Sequence, residues 1–470
     1  MVVFWRKISY TLLMICSVDL LATSGDITMS WTSPMLTKLN STDSSINPLS
    51  RRITDNEGAW IGSLINIGAI LGTIPISYLA EKFGRKIALL CIAVPHFTSY
   101  LSMAIVKDVN IYYFGRLFGG IAVGAGYNLL PMYIAEIAQE SQRGPYSVTL
   151  GIFWAFGNFL PYLIGSFLSV FWFNFVLALF PLAFFISFLF LGTETPYYLV
   201  KTGQLDKAEK VLMLLRSSGK DEVAGELSHI RTTLANEKQG NLLDVLKSSG
   251  LRKALIISVS LLAFQQFSGI NAITFYLQPI FESSGTEIPS DIASLVVGAC
   301  LFSSSLVGPY VIDKFGRKTL MISSCSIMAL CLISMGAFFF IKEKTSLSTE
   351  PIFWLPITSL VLLILVFQIG VAAVPWTISS ELFPSDLKQL AASATTFSCY
   401  FTSFIITKFF TDMTTALGTG ETFWFFAVFS ILYVIFTLFY VPETRGKTFM
   451  EIQNILRKTS IVPSRNNSIL

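Results

Sequence analysis

Charge is scarce in this chain, and histidine scarcer. Only 13% of its 470 residues are Asp, Glu, Lys or Arg, against roughly 25% in soluble domains, while 53% are hydrophobic. That composition excludes an ordinary water-soluble fold. Two histidines, no clustered cysteines and no paired acids at catalytic spacing leave nothing from which to build a membrane-embedded enzyme. No Gly-rich stretch ends in Gly-Lys-Ser/Thr, so no ATP-binding loop is available to drive work. The six cysteines, Cys16, Cys91, Cys300, Cys325, Cys331 and Cys399, all fall inside apolar runs without metal-ligand spacing. Neither a disulfide framework nor a metal or other cofactor is expected. The net charge of +4 follows from membrane topology and does not point to nucleic acid.

Apolar runs are abundant instead. Stretches of about 20 residues, enough to cross a bilayer, are read at 8–31, 58–80, 87–106, 110–134, 145–169, 172–192, 254–280, 292–312, 319–341, 352–380, 390–410 and 421–441. The chain is thus expected to be an all-α integral membrane protein of twelve spans, six on each side of a charged interlude. The bundles are placed at 1–192 and 254–441, the linker at 193–253 and a tail at 442–470. In the linker Leu205, Ala208, Val211, Leu212 and Leu215 recur at helical spacing, which predicts short amphipathic helices beneath the membrane part. With both termini in the cytosol, roughly 25 of the 33 Lys and Arg lie on that side, so this orientation is expected, in a plasma membrane. Trp31, Trp60, Trp172, Trp354 and Trp424 then fall at headgroup level near the outer helix ends, whereas Trp154 and Trp376 do not. Asn40-Ser-Thr in the outer loop is a glycosylation acceptor; Asn466-Asn-Ser has the same form on the cytosolic tail and is expected to stay bare. The first apolar run lacks a small-residue cleavage site and is read as a retained helix.

The same phrases occur twice. Glu81-Lys-Phe-Gly-Arg85-Lys closes one apolar run, and Asp313-Lys-Phe-Gly-Arg317-Lys closes another. Glu136 precedes Arg143 by seven residues, and Glu381 precedes Lys388 by seven; Glu194-Thr195 is echoed by Glu443-Thr444. Two copies of one unit are implied. Charges at the ends of packed helices are costly to desolvate, so matched copies suggest ion pairs between the halves that hold an inner gate shut. The plainer alternative is that they only fix topology. Twelve spans in two repeats without a nucleotide loop point to a secondary transporter.

These residues carry a family resemblance. Phe83-Gly-Arg-Lys86, Phe315-Gly-Arg-Lys318, Gly115-Arg116, Pro131-Met-Tyr-Ile-Ala-Glu136, Arg143-Gly144, Glu194-Thr-Pro196, Gln265-Gln-Phe-Ser-Gly-Ile-Asn271, Pro375-Trp376, Glu381-Leu-Phe-Pro384 and Pro442-Glu-Thr-Arg-Gly-Lys447 span nearly the whole chain. It resembles the sugar-porter group of the major facilitator superfamily, and within it insect trehalose and hexose facilitators. The resemblance implies two pseudo-symmetric six-helix bundles and alternating-access transport of a small sugar, hexose or disaccharide, with the lipid bilayer as its other partner and no oligomer required. Arg116 is a gating or conformational position of that family, beside the corner charges named above.

Gln265, Gln266 and Asn271 lie in an otherwise apolar seventh span, where unpaired amides are costly. Their donors and acceptors suit vicinal hydroxyls, with interhelical bonding as the alternative use. Gly269 is expected to loosen the helix near mid-depth. Pro375 should break the tenth span and place Trp376 over a cavity, where the resemblance gives it a closing role, with Phe275 and Tyr276 at the outer gate. Departures also appear. Gly151, Leu301 and Cys399 stand where the group usually has polar contacts in the fifth, eighth and eleventh helices. Gly370-Val-Ala-Ala-Val replaces a Gly-Pro run, and Tyr197 replaces an Arg.

Asp19 and Asp26 lie in the first span seven residues apart, on nearly one face, and are candidates for proton coupling. The coupling acid of symporters in the family aligns instead with Thr28, which leaves Asp26 as a counter-ion for Arg116 in the more modest view. Facilitated transport is therefore expected ahead of proton symport, with a non-transporting sensor as a further alternative. His96 is read as a satisfied core group and Lys408 as a side chain snorkelling to the headgroups.

Overall fold

The structure, a computed structural model, describes residues 10–105, 107–236, 245, 248–285, 288–384, 387–447 and 449–458, with side chains undescribed at 236, 309–313, 389, 457 and 458. Among the described residues there is helix and no strand. Among them, twelve helices are long and apolar enough to cross a membrane. They run Tyr10–Ser30, Asp55–Phe83, Arg85–Ile105, Val109–Ile137, Arg143–Gly165, Val170–Leu191, Ser249–Phe275, Ser290–Lys314, Arg317–Lys344, Glu350–Glu381, Lys388–Leu417 and Thr419–Tyr440. Each corresponds to one expected run, and the differences lie at the ends. The second span starts at Asp55 because a capping box precedes the apolar run: Thr54 Oγ1 accepts from Glu57 N at 3.2 Å, and Glu57 Oε2 accepts from Thr54 N at 2.8 Å. Hydropathy does not register such a polar helix start.

The first six spans form one bundle and the last six another, with the third packed along the sixth as the ninth is along the twelfth. The second and fourth spans touch backbone to backbone. A Cβ at Gly68 would lie 2.2 Å from Leu117 O, and one at Gly120 would lie 2.2 Å from Ile65 O, the small-residue packing typical of membrane helices. Leu71, Ile74, Phe190 and Phe439 point outward and are exposed, as a lipid-facing surface requires.

Both halves are tied together from mid-depth to the end opposite the Phe-Gly-Arg-Lys corners. Asn66 Nδ2 donates to Thr407 Oγ1 at 3.1 Å, Tyr162 OH to Thr274 O at 2.9 Å, and Gln278 N to Ser33 Oγ at 2.9 Å. Three short helices, Pro196–Lys201, Leu205–Arg216 and Lys220–Asn236, follow the first bundle. Ala208, Leu212 and Leu215 are buried as the periodicity predicts, while Leu205 at the helix start is exposed. Helix Phe449–Lys458 packs on the start of the seventh span, where Lys253 Nζ donates to Leu456 O at 2.7 Å.

The tryptophans divide. Trp172 and Trp354 are exposed near helix ends, but Trp31 is fully buried and donates through Nε1 to Asn174 Oδ1 at 2.7 Å. Its place is inside the first bundle rather than at the headgroups, because the asparagine supplies the partner that water would otherwise give. Trp154, which needed another role, stacks on Tyr127 with ring centroids 4.9 Å apart.

Candidate functional site: a central cavity between two bundles

Each Phe-Gly-Arg-Lys corner is built in the same way. Glu194, in the loop after the sixth span, accepts from the backbone N–H of Arg85 at 2.8 Å and of Lys86 at 3.2 Å. Glu443, after the twelfth, accepts from Arg317 N and Lys318 N at 3.1 Å each. Each carboxylate thereby caps the helix that follows its glycine and sits at the positive end of its dipole. A Cβ at Gly84 would lie 2.1 Å from Glu194 Oε2, and one at Gly316 would lie 2.5 Å from Glu443 Oε2, so a side chain at either glycine would displace the carboxylate from its seat. Burial pushes the Glu194 carboxyl above its ordinary range, against the pull of the amides of Thr195, Arg85 and Lys86.

Arg85 pairs with Glu136 through two bonds of 3.1 Å, and Thr195 Oγ1 adds a third to the same carboxylate at 2.5 Å. In the second copy Arg317 reaches Glu381 only at 3.5 Å, and Arg317 Nε, Glu381 Oε2 and Thr444 Oγ1 are buried without partners. Glu81 pairs with Lys201 of the linker at 3.5 Å, and Arg143 Nη2 donates to Tyr197 OH at 3.2 Å. Lys388 opens the eleventh span with an exposed side chain, and the Asp313 side chain lies outside the described residues. The ion pairs expected between the halves when the inner gate is shut are not formed among the described residues, in a structure whose charged end is open. Among the described residues, every ion pair at these corners stays within one half or joins it to its linker, because the halves meet at the opposite end. A cavity of about 770 Å³ opens at this charged end, lined by Glu81, Arg85, Glu136, Arg143, Tyr197 and Lys201 together with apolar groups.

Between the halves at mid-depth lies a second cavity of about 210 Å³. Both broken helices bound it. The seventh span stops at Phe267, turns through Gly269 in the left-handed region (φ +81°) and resumes at Ile270. The tenth carries a π-helical turn over Phe367–Val371 before Val374–Glu381 resumes. Gln265, Gln266, Asn271 and Phe275 all line the cavity. Gln265 Nε2 donates to Val371 O at 2.7 Å and to Ala372 O at 3.3 Å, so it ties one broken helix to the other. Its Oε1 accepts from Gln266 Nε2 at 3.3 Å, which leaves Gln266 Oε1 buried and without a partner. Asn271 Nδ2 donates to Ser403 Oγ at 2.8 Å.

Trp376 and Tyr276 are not in the lining. Trp376 is 40% exposed, while Tyr276 is buried and donates to Thr407 O at 3.2 Å. Leu301 and Cys399 are in the lining, with Cys399 Sγ accepting from Gln266 Nε2 at 3.2 Å. Gly151 is not; the fifth span presents Asn158, two turns further on. Gln368, Tyr127 and Tyr400 also line the cavity and were missed. An isolated amide in an apolar run was the available signal for Asn158 and Gln368, as it was for Gln265.

The counter-ion expectation for Asp26 is overturned. Arg116, fully buried, donates to Ile61 O at 2.9 Å, Thr28 O at 2.5 Å and Thr32 Oγ1 at 2.7 Å, and its guanidinium lies 5.0 Å from the Trp31 ring centroid. Asp26, facing another side of the first span, accepts from Tyr127 OH and from Asn158 Nδ2 at 2.8 Å, and lines the cavity. Asp19 is buried toward Thr149 of the fifth span, and its Oδ1 has no partner. His96 sits in the core against Tyr100 and Thr28 Oγ1. Lys408 does not snorkel: it is 8% exposed and donates to Asn56 Oδ1 across the interface between halves.

The profile of the family described as "Sugar (and other) transporter" matches residues 27–456. A facilitated trehalose transporter of Culex quinquefasciatus is 33% identical over 426 residues, covering 90% of this chain and 81% of that protein. One from Aedes aegypti is also 33% identical over 90% of this chain, which spans only about half, 52%, of its length. Among solved structures, the partially occluded inward-open xylose transporter XylE from E. coli superposes with a TM-score of 0.76 at 22% identity, over 93% of this chain and 99% of that one.

Proposed function

From the membership of this chain in the sugar (and other) transporter family, we propose that it carries a small sugar across a membrane by alternating access, without coupling to an ion. The observation that carries this is the partnerless acceptor of Gln266, buried beside a cavity walled by amides, aromatic rings, aliphatic groups and the Asp26 carboxylate. A buried carbonyl oxygen without a partner is costly unless a solute hydroxyl meets it. A cavity of about 210 Å³ seats one sugar ring, given that roughly 150 Å³ holds benzene. The trehalose transporters of mosquitoes and the xylose transporter of E. coli support this substrate class.

Uncoupled transport is favoured by Arg116, whose hydrogen bonds all go to backbone carbonyls and the Thr32 hydroxyl, with no carboxylate to titrate beside it. The charged end faces the cytosol in this proposal, with both termini there, in a plasma membrane, and the chain works as a monomer in lipid. Its bundles are 1–192 and 254–441, joined by the linker 193–253 and followed by the tail 442–470. The corner pairs serve as hinges that keep each half rigid while the two halves rock. Asn40, exposed at the opposite end, is the glycan acceptor. The test is uptake of labelled glucose, xylose and trehalose by the purified chain in liposomes, with Gln266→Ala and Asn271→Ala. Saturable uptake lost in both variants supports the proposal; no uptake of any sugar, or full uptake in both variants, refutes it.

A further inference from the structure

One group in the central cavity offers more than a neutral sugar needs. Asp26 is 3% exposed, and its carboxylate accepts from Tyr127 OH through one oxygen and from Asn158 Nδ2 through the other. An ionised carboxylate offers about four acceptor sites and no donor, so about two are unspent. Among the described residues, no Lys, Arg or His belongs to the cavity lining. Arg116, the nearest buried cation in the first bundle, is committed to Thr28, Thr32 and Ile61 on another side of the first span.

Gln368 and Tyr400 add an amide and a hydroxyl that can both donate and accept, but the buried amide atom left unspent is again an acceptor. A chain of bonds fixes its orientation: the carbonyls of Val371 and Ala372 require Gln265 to present its NH2, so Gln265 Oε1 takes the amide of Gln266. Gln266 Oε1 is left as the free atom. The cavity is therefore bordered by unspent acceptors from both halves, one of them a carboxylate that, when ionised, has no cationic partner among the described residues. Its complement is a ring rich in donors that carries a positive charge. An ammonium group, with three donors and no acceptor, is that complement.

We propose that this cavity prefers a sugar bearing a protonated amine over its neutral counterpart and rejects acidic sugars, and that Asp26 is the residue that sets this preference. The proposal rests on the transport function above and narrows its substrate class. Specificity here is a difference of affinities, supplied by attraction for the amine and by repulsion of a carboxylate near Asp26.

The experiment is competition in liposomes containing the full chain. Unlabelled glucosamine, glucose and glucuronate are titrated against a labelled transported sugar, at a pH where the amine is protonated, for wild type and Asp26→Asn. Wild type should be half-inhibited by about tenfold less glucosamine than glucose, and hardly at all by glucuronate. In Asp26→Asn the glucosamine-to-glucose ratio should fall to about one and glucuronate should become a competitor. Equal inhibition by glucosamine and glucose in wild type, or an unchanged ratio in Asp26→Asn, overturns the proposal. So does uphill glucose accumulation driven by a proton gradient and lost in Asp26→Asn, which would make the carboxylate a proton carrier. If the variant does not fold, thermal stabilisation of wild type by the three sugars decides: protection by glucosamine well above that by glucose supports the proposal, and equal protection overturns it. Absence of any sugar uptake would instead sink the transport function itself.

Discussion

Lys408 Nζ, on the eleventh span, donates to Asn56 Oδ1 at 2.9 Å on the second, and its ammonium lies 5.1 Å from the Trp60 ring centroid. A buried cation joins the two halves at the end where they are closed. Its ring contact and its amide partner replace the water it loses, a combination worth about 2 kcal/mol when desolvated.

Lys408→Met should therefore loosen this closure. Double electron–electron resonance between spin labels at exposed Ser44 and Thr345, in a background without native cysteines, should show a longer-distance population growing at the expense of the native one. An unchanged distribution would mean that the contact does not hold the halves together.

Arg85→Ala and Arg317→Ala should differ although they are sequence copies. Arg85 is buried in a two-bond pair, and removing it strands Glu136, at a cost of about 3–5 kcal/mol. Arg317 makes one contact of 3.5 Å in a partly exposed corner, so its loss should cost about 1 kcal/mol or less. Thermal unfolding in detergent, followed by tryptophan fluorescence, separates the two; equal losses would contradict the asymmetry of the corners.

Glu443→Ala should destabilise the start of the ninth span by removing the acceptor for two amide groups, at about 1 kcal/mol on the scale of helix caps. Hydrogen exchange at Arg317 and Lys318 should rise while exchange at Arg85 and Lys86 stays as it was.

Gly269→Ala should impair transport more than its size suggests. At φ +81° an L side chain is strained, and a Cβ there would lie 2.5 Å from the Phe426 ring. Uptake normalised to surface protein should fall at least tenfold; normal uptake would show that the break in the seventh span is dispensable.

The sequence alone was enough to number the spans, place the linker helices and pair the corners, because hydropathy over about 20 residues and repeated charge are local properties of the chain. It also drew attention to Gln265, Gln266 and Asn271, since an amide in an apolar helix stands out wherever the helix ends up. It could not choose partners. Asp26 and Arg116 could be paired by eye, yet two residues along a helix turn a side chain by more than half a revolution, and Asp26 faces the cavity while Thr28 and Thr32 meet the arginine. Likewise the matched corner charges did not reveal that each pair closes within its own half, nor that Trp31 and Lys408 are buried. Those outcomes depend on which faces of the twelve helices meet, and only the packing of the two bundles fixes that.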